Sequence, residues 1–317
     1  MSKQQYVVKA PLNLGDFLLQ SINGISKTSV KSMLLNGVVF VNDKVQTKYT
    51  LPLSTGQVVT VDKNQKVRRD TLNCKELTIE YEDDHIIVVN KKAGLLSVAT
   101  ESLKKEVTCH SILNAYVQKQ HPAARVYIVH RLDRETSGLM VFAKSEKLKD
   151  YMQENWDKVA LERGYLALVY GQMDDTEGTI TSWLKENKAM VTYSSSTDNG
   201  GQQAITHYKV IASGLEMSLL DLRLATGRKN QIRSQLQGIS HPIVGDKKYA
   251  TLDSDGFVTN TGGSNGKGSY MPTSVKNALE SKRLYLQAYR LVFLHPVTQR
   301  RMDFSLDRTK GIWKKFL

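Results

Sequence analysis

Asp133 is the residue whose type and setting most suggest chemistry. It lies in Val129-His130-Arg131-Leu132-Asp133-Arg134-Glu135-Thr136-Ser137-Gly138, a polar loop running directly into the apolar stretch Leu139–Ala143. A carboxylate between Arg131 and Arg134 is kept ionised by the nearby positive charge, which suits a nucleophile or base rather than a proton donor. A loop held by a rigid strand is a common place for such a group. Two other readings are open at this level: an ion-paired structural loop, and a hydrolase pair of Asp133 and Glu135 whose separation the sequence does not fix. Cys74 and Cys109 are the only cysteines, too few for a disulfide framework or a four-cysteine zinc cage. The stretch Asp253–Ser269 imitates a phosphate loop. It fails because Gly262 and Gly266 enclose three residues rather than four, Lys267 precedes Gly268, and no strand leads in. A flexible surface loop is expected there.

The elements around these residues read as an α+β protein. The chain has 317 residues, 40% of them hydrophobic, enough for roughly two domains with proper cores at about 150 residues each. Leu77–Tyr81 and Ile86–Val89 flank the turn Glu82-Asp83-Asp84, a hairpin signal. Tyr165–Tyr170 is a strand ended by Gly171, and Leu220, Leu222 and Leu224 alternate with Asp221 and Arg223 as a half-buried strand. Leu148, Tyr151, Met152 and Trp156 form a helical stripe after the N-cap Ser145. Ile232 and Leu236 mark another helix, ended by Gly238. Paired strands with interspersed helices predict helices laid on a mainly antiparallel mixed sheet.

Residues 1–62 read as a separate small α+β domain, followed by a basic linker over 63–76 and a larger domain over 77–317. Leu14, Phe17, Leu18 and Ile22 share one helical face. A second helix near Ser26 turns Val30, Met33 and Leu34 inward and Lys27 and Lys31 outward. Asn36-Gly37, the strand Val38–Val41, the turn Asn42-Asp43 and the strand Gln57–Val61 complete the unit. Lys63, Lys66, Arg68 and Arg69 of the linker are available to phosphates. Lys and Arg total 44 against 31 Asp and Glu, a net charge of +13, which favours polyanions as partners. No apolar run approaches the roughly 18 residues of a membrane span, and the start lacks a long apolar signal core. The expectation is a cytoplasmic protein without membrane contact.

The segment HRLDRETSGLMVFAKS resembles the signature of the RluA-like pseudouridine synthases, and further blocks follow in the family's order. These are Ile79–Asp83 with Val88–Lys91, Arg163–Gly171, Thr226–Arg233, His241–Asp246, Leu284–Ala288 and Phe293–Pro296. The likeness spans about 80–300. It implies isomerisation of uridine to pseudouridine within RNA, with no cofactor and no metal, and a chain expected to act as a monomer. By the resemblance Asp133 is the catalytic aspartate, its first target, sugar or base, being left open. Tyr165 is the tyrosine that stacks on the uracil and assists proton transfer, and Arg233 is the basic partner that holds the aspartate ionised. Arg131 fills the gap left by the flipped base, and Arg228 is a further RNA contact.

Residues 1–62 resemble the alpha-L RNA-binding module, first known from a small-subunit ribosomal protein. That likeness implies RNA contacts by Lys27, Lys31 and Lys44, and ribosomal RNA as the favoured substrate, with transfer RNA the alternative. A non-catalytic RNA-binding or assembly factor on the same fold is the rival reading. The chain departs from the family pattern at several positions. Lys92 replaces a proline, which takes that ring's rigidity out of the loop. Lys229-Asn230 replaces Thr-His, Ser234-Gln235 replaces Val-His, and Gln287 stands where histidine is frequent.

Overall fold

The computed structural model describes residues 3–35, 37–46, 48–62, 72, 74–99, 106–214, 217–250, 283–309 and 311–316. Two compact units divide between Thr71 and Leu72. Most of the 63–76 linker and all of the 253–269 stretch lie outside the described residues. Among the described residues no helix is long and apolar enough to cross a membrane.

The first unit contains β1 (Gln4–Val7), β2 (Leu12–Asn13), α1 (Leu14–Ser21), α2 (Lys27–Leu35), β3 (Val39–Val41), β4 (Lys44–Val45), β5 (Pro52–Leu53) and β6 (Val58–Val61). Strands β1, β6, β3 and β4 form one antiparallel sheet in that order, and β2 pairs with β5. Leu14 and Leu18 of α1, Val30 and Leu34 of α2, and Val39 and Val59 of the sheet are buried in one core. Asn42 and Asp43 both take positive φ (49° and 61°), which a two-residue hairpin turn requires. Lys27, Lys31 and Lys44 are exposed.

The second unit contains β7 (Leu77–Glu82), β8 (Ile86–Lys91), α3 (Cys109–Gln120), β9 (Tyr127–Ile128), β10 (Ser137–Ala143), α4 (Glu146–Glu154) and α5 (Trp156–Val159). It continues with β11 (Ala160–Tyr170), β12 (Glu177–Glu186), β13 (Thr192–Ser195), β14 (Gln202–Ser213), β15 (Met217–Leu224), α6 (Gln231–Gly238), β16 (Leu286–Leu294) and β17 (Arg301–Ser305). The strands make one 11-stranded sheet whose path runs β13-β12-β14-β15-β11-β16-β10-β8-β7, with β17 on β16 and β9 on β10. Every described pairing of named strands is antiparallel except β10 with β16.

Strands β8 and β10 are buried on both faces, which explains their unbroken apolar sequences. Ile87, Val89, Met140 and Phe142 pack with Leu113 and Val117 of α3 on one side. Ile86, Val88, Leu139 and Val141 pack with Met152 of α4 and Val159 of α5 on the other.

Two sequence expectations need correction. Asn155 breaks the expected Leu148–Trp156 stripe, so Trp156 opens the separate helix α5, and Tyr151 is left 37% exposed. The strand read as half-buried keeps its alternation, with Leu220 and Leu222 buried and Arg223 exposed, while Ser218 and Leu219 ahead of it are buried as well, because β15 lies inside the sheet between β14 and β11. At Lys92 the loop does not simply lose rigidity. The Lys92 N–H donates to Glu76 O at 2.9 Å, a bond that proline could not form.

Gly138 fixes the junction of the Asp133 loop with the sheet. It has φ +120°, and a Cβ there would stand 2.1 Å from Ala288 O on β16. Gly138→Ala therefore combines backbone strain with overpacking, and is expected to cost about 3 kcal/mol or more. Thermal unfolding of the variant checks this; an unchanged midpoint would show that the approach of β10 to β16 does not need glycine.

Candidate active site

The Asp133 loop rests on a buried lysine. Lys91, the last residue of β8, is fully buried, and its Nζ donates to the carbonyl oxygens of Leu95 (2.8 Å), Arg134 (3.0 Å) and Lys92 (3.1 Å). Three acceptors match the three donors of an ammonium. Burial nevertheless pulls this group down to about 8, against the opposing charges that include Asp133 and Glu135. Ser97 Oγ donates to Leu132 O at 2.6 Å, and Leu132 N donates back to Ser97 Oγ at 3.2 Å. The Gly94 N–H donates to Arg134 O at 2.8 Å. Segment 91–97 thus clamps the loop on both sides of Asp133.

The ionic partner of Asp133 is the one the family resemblance implies, Arg233, and not its sequence neighbours Arg131 and Arg134. Arg134 turns away to pair with Glu106, and Arg131 is exposed and lines the cavity. Arg233 of α6 supplies the contact, its Nη1 lying 3.3 Å from Asp133 Oδ2. Glu135 is exposed and does not line the cavity, so the Asp133–Glu135 hydrolase pair is not assembled.

Arg233 is held by a second carboxylate. Its Nε and Nη2 donate to Asp246 Oδ2 and Oδ1 at 2.7 and 2.8 Å, a bidentate geometry that fixes the guanidinium plane. Asp246 is itself buried and also accepts from the Lys248 and Tyr249 N–H groups at 2.9 and 3.1 Å. Gly245 allows this turn, with φ +78° and a would-be Cβ 1.8 Å from Arg283 O. The Tyr249 ring lies against the guanidinium, 5.1 Å from its centroid. Burial disfavours the Arg233 charge, but Asp246 and Asp133 together raise it above its ordinary value.

Helix α6 carries Arg233 although six consecutive residues, Gln231–Leu236, are buried. Its polar side chains are satisfied by the sheet. Gln235 Nε2 donates to Ser182 Oγ, Ala204 O and Ile180 O at 3.0, 3.0 and 3.2 Å. Gln231 Nε2 donates to Thr206 Oγ1 and Ile205 O at 2.9 and 3.0 Å. The departures from the family pattern gain a physical role here: Gln235 stitches the helix to β12 and β14, and Gln287 accepts from the Trp313 indole N–H. Asn230 caps the helix start in the left-handed region (φ 53°) and accepts from Arg233 Nη1 at 3.3 Å.

Asp133, Tyr165, Arg233, Arg131 and Arg228 all line one cavity of about 260 Å³, closed at its sides by Leu132, Leu224, Ile232 and Leu286. Tyr165 reaches it from β11, next to a register shift at Gly164/Tyr165 in the pairing with β16. Burial raises its phenol to about 12, the nearby Arg163 opposing and Asp133 assisting. Arg228 Nε donates to Gln203 O at 3.3 Å. His130 is no rival base. Burial and Arg163 push it down to about 3, its Nε2 accepts from the Val141 N–H at 3.2 Å, and its ring stacks on Trp156. Among the described residues no group of acidic, histidine and cysteine side chains could hold a metal. The cavity therefore offers a carboxylate beside a guanidinium, a neutral phenol and apolar side chains, a set able to take a planar base next to a carboxylate. Lys27, Lys31 and Lys44 belong to the other unit. Sequence reasoning assigned no role to Lys91 or Asp246, although both fall inside the family-like blocks.

The residues 85–238 match the family model for RNA pseudouridylate synthase. An uncharacterised RNA pseudouridine synthase of Mycoplasma genitalium is 31% identical over 310 residues, covering 95% of this chain and 91% of that one. Ribosomal large subunit pseudouridine synthase D of Vibrio cholerae is 32% identical over 288 residues, 88% of this chain and 82% of the other. The tRNA pseudouridine synthase C of Haemophilus ducreyi is 33% identical over 243 residues, 73% and 90% of the two chains. A solved structure of human RNA pseudouridylate synthase domain containing 4 shares the fold, with a TM-score of 0.55 and 23% identity over 72% of this chain and 87% of that one. The chain belongs to the RluA-like family of RNA pseudouridine synthases, which isomerise uridine to pseudouridine within RNA.

Lys91→Met takes the ammonium donor from the carbonyls of Lys92 and Leu95 and leaves Arg134 O with the Gly94 N–H alone, and is expected to destabilise by about 3 kcal/mol at pH 7. Lys91 titrates near 8 in the fold and near 10.5 when unfolded, so between those values the unfolded chain binds the extra proton. Wild-type stability then gains from rising pH, and Lys91→Met does not share the gain. Denaturant unfolding at pH 7 and pH 10 should show the gap between the two proteins widening; a gap that narrows would refute the lowered pKa.

Proposed function

We propose that Asp133 is the carboxylate that opens the reaction on a uridine flipped into the 260 Å³ cavity. One observation carries this reading. The Asp133 side chain is one-third exposed within the cavity, and the guanidinium beside it already has its other edge occupied by Asp246. A carboxylate held by a single 3.3 Å contact is oriented yet free to leave its partner and attack. The bond from the ribose anomeric carbon to the base nitrogen breaks, the base rotates, and a carbon–carbon bond to the same sugar forms. Atoms and electrons balance within the uridine, so the reaction as written calls for no cofactor.

Tyr165 stacks on the uracil and, staying a phenol to about pH 12, can hand over or receive a proton next to the base. Arg233 orients Asp133. Arg131, exposed at the cavity mouth, takes the space of the extruded base, whose unstacking costs about a few kcal/mol. Arg228 contacts the strand. The first unit is an RNA anchor of the alpha-L type that presents Lys27, Lys31 and Lys44 to phosphates. Ribosomal RNA is the favoured substrate. The named ribosomal relative from Vibrio cholerae matches 88% of this chain, against 73% for the transfer-RNA relative.

Asp133→Asn tests the chemistry. It keeps size and polarity but removes the nucleophile, so pseudouridine formation in unmodified ribosomal and transfer RNA should fall to background while RNA binding persists. Conversion by the variant at the wild-type rate would remove Asp133 from the mechanism. Deleting residues 1–62 tests the anchor: RNA affinity should drop and its dependence on salt should flatten. Unchanged salt sensitivity in the truncated protein would deny the unit that role.

A further inference from the structure

A second cavity opens beside the first. It encloses about 380 Å³ and is lined by Lys185, Glu186, Thr192, Gly200, Gly201 and, on the shared side, Arg228 and Lys229. Arg228 and Lys229 line both cavities, so the two are neighbours along one surface. The lining carries three cations, Lys185, Arg228 and Lys229, against the single carboxylate Glu186. One wall is glycine, where Gly201 has no room for a side chain, since a Cβ would stand 2.5 Å from Leu184 O. Gly200 takes φ +72° with open space around its Cβ position. Such a wall brings backbone close to a ligand. Asn199 Nδ2, in the loop that carries Gly200 and Gly201, is a buried donor without a hydrogen-bond partner among the described residues, as occurs where a site serves a polar ligand.

We propose that this second cavity is the subsite for the nucleotide next to the target uridine, with its phosphodiester taken by Arg228 and Lys229. The inference rests on the reading above that the first cavity takes the uridine. A uridine within a strand enters its pocket with neighbours attached, and the surface shared by the two cavities is where a linking phosphate meets positive charge. Lys229 is the discriminating residue. Its Nζ pairs with Glu186 Oε1 at 2.5 Å, both side chains being partly exposed. An exposed pair of this kind is weak, and a phosphate can replace the carboxylate. Lys229 is also one of the positions where this chain departs from the family pattern, so the exchange belongs to this chain's choice of RNA rather than to the shared chemistry. Glu186 then discourages strands that bring no phosphate to that point.

Filter binding of the full chain to a transcript of unmodified large-subunit ribosomal RNA, across a salt series, tests this. Lys229→Gln should weaken binding about three- to tenfold and lower the salt slope by about one. Glu186→Gln should tighten binding about threefold, and the gain should vanish in the Lys229→Gln background. Lys188→Gln makes the same charge change on the same hairpin outside the cavity and should alter affinity less than twofold. Equal losses for Lys229→Gln and Lys188→Gln, or a Glu186→Gln gain that survives without Lys229, would overturn the subsite in favour of a general field. Pseudouridine formation is followed in the same samples. The expected binding pattern without any conversion would keep the strand path and remove the uridine site; conversion without the pattern would do the reverse.

Discussion

A guanidinium shared between two carboxylates organises the larger unit. Arg233 gives two of its donors to Asp246 and one to Asp133, and these unequal contacts have different consequences. The bidentate contact is buried and immobilises the arginine; the single contact lies at the cavity edge and only orients its partner. A buried arginine without a carboxylate would be strongly unfavourable, so Asp246 lets a charged group stand inside the fold at all. Around this pair the rest follows: Gly245 permits the turn that presents Asp246, and the amides of Gln231 and Gln235 tie down the helix bearing Arg233.

The sheet supplies the second constraint. Asp133 and Tyr165 come from segments flanking β10 and within β11, and β16 lies between those strands. The parallel register Ser137–Gln287 and Gly138–Ala288, with the antiparallel register Tyr165–Ala288, places both residues relative to a single strand. Lys91 completes the frame by binding three carbonyls around the loop. Rigidity of this kind suits a reaction in which a base must turn within its pocket, because the surrounding groups need not move with it.

Much of this was legible in sequence, for local reasons. The Asp133 loop announces itself by a polar run abutting an apolar strand, and the hairpins by their turn residues. Tyr165 and Arg233 were identified through ordered blocks, since alone each looks like a strand aromatic or a surface charge. What stayed hidden depends on the third dimension. Local charge alone pairs Asp133 with its neighbours Arg131 and Arg134; only the ordered blocks point to Arg233, 100 positions away, which the fold brings to it. Lys91 has no role in the sequence reading, yet it is fully buried. Helix α6 defeats an amphipathic reading because its polar residues are buried against strand carbonyls and hydroxyls. Asn155 ends α4 where periodicity alone continues it.

The insertion of β16 between β10 and β11 also bears on how the protein is made. Residues 286–294 must emerge from the ribosome before the strands at 137–143 and 160–170 can take their final neighbours. Contacts so distant along the chain close late and slowly, and until they do, β10 and β11 each lack the partner strand for the backbone groups along one edge. A chain synthesised only as far as Arg233 therefore carries Asp133, Tyr165 and Arg233 but not yet the strand that fixes β10 and β11 relative to one another.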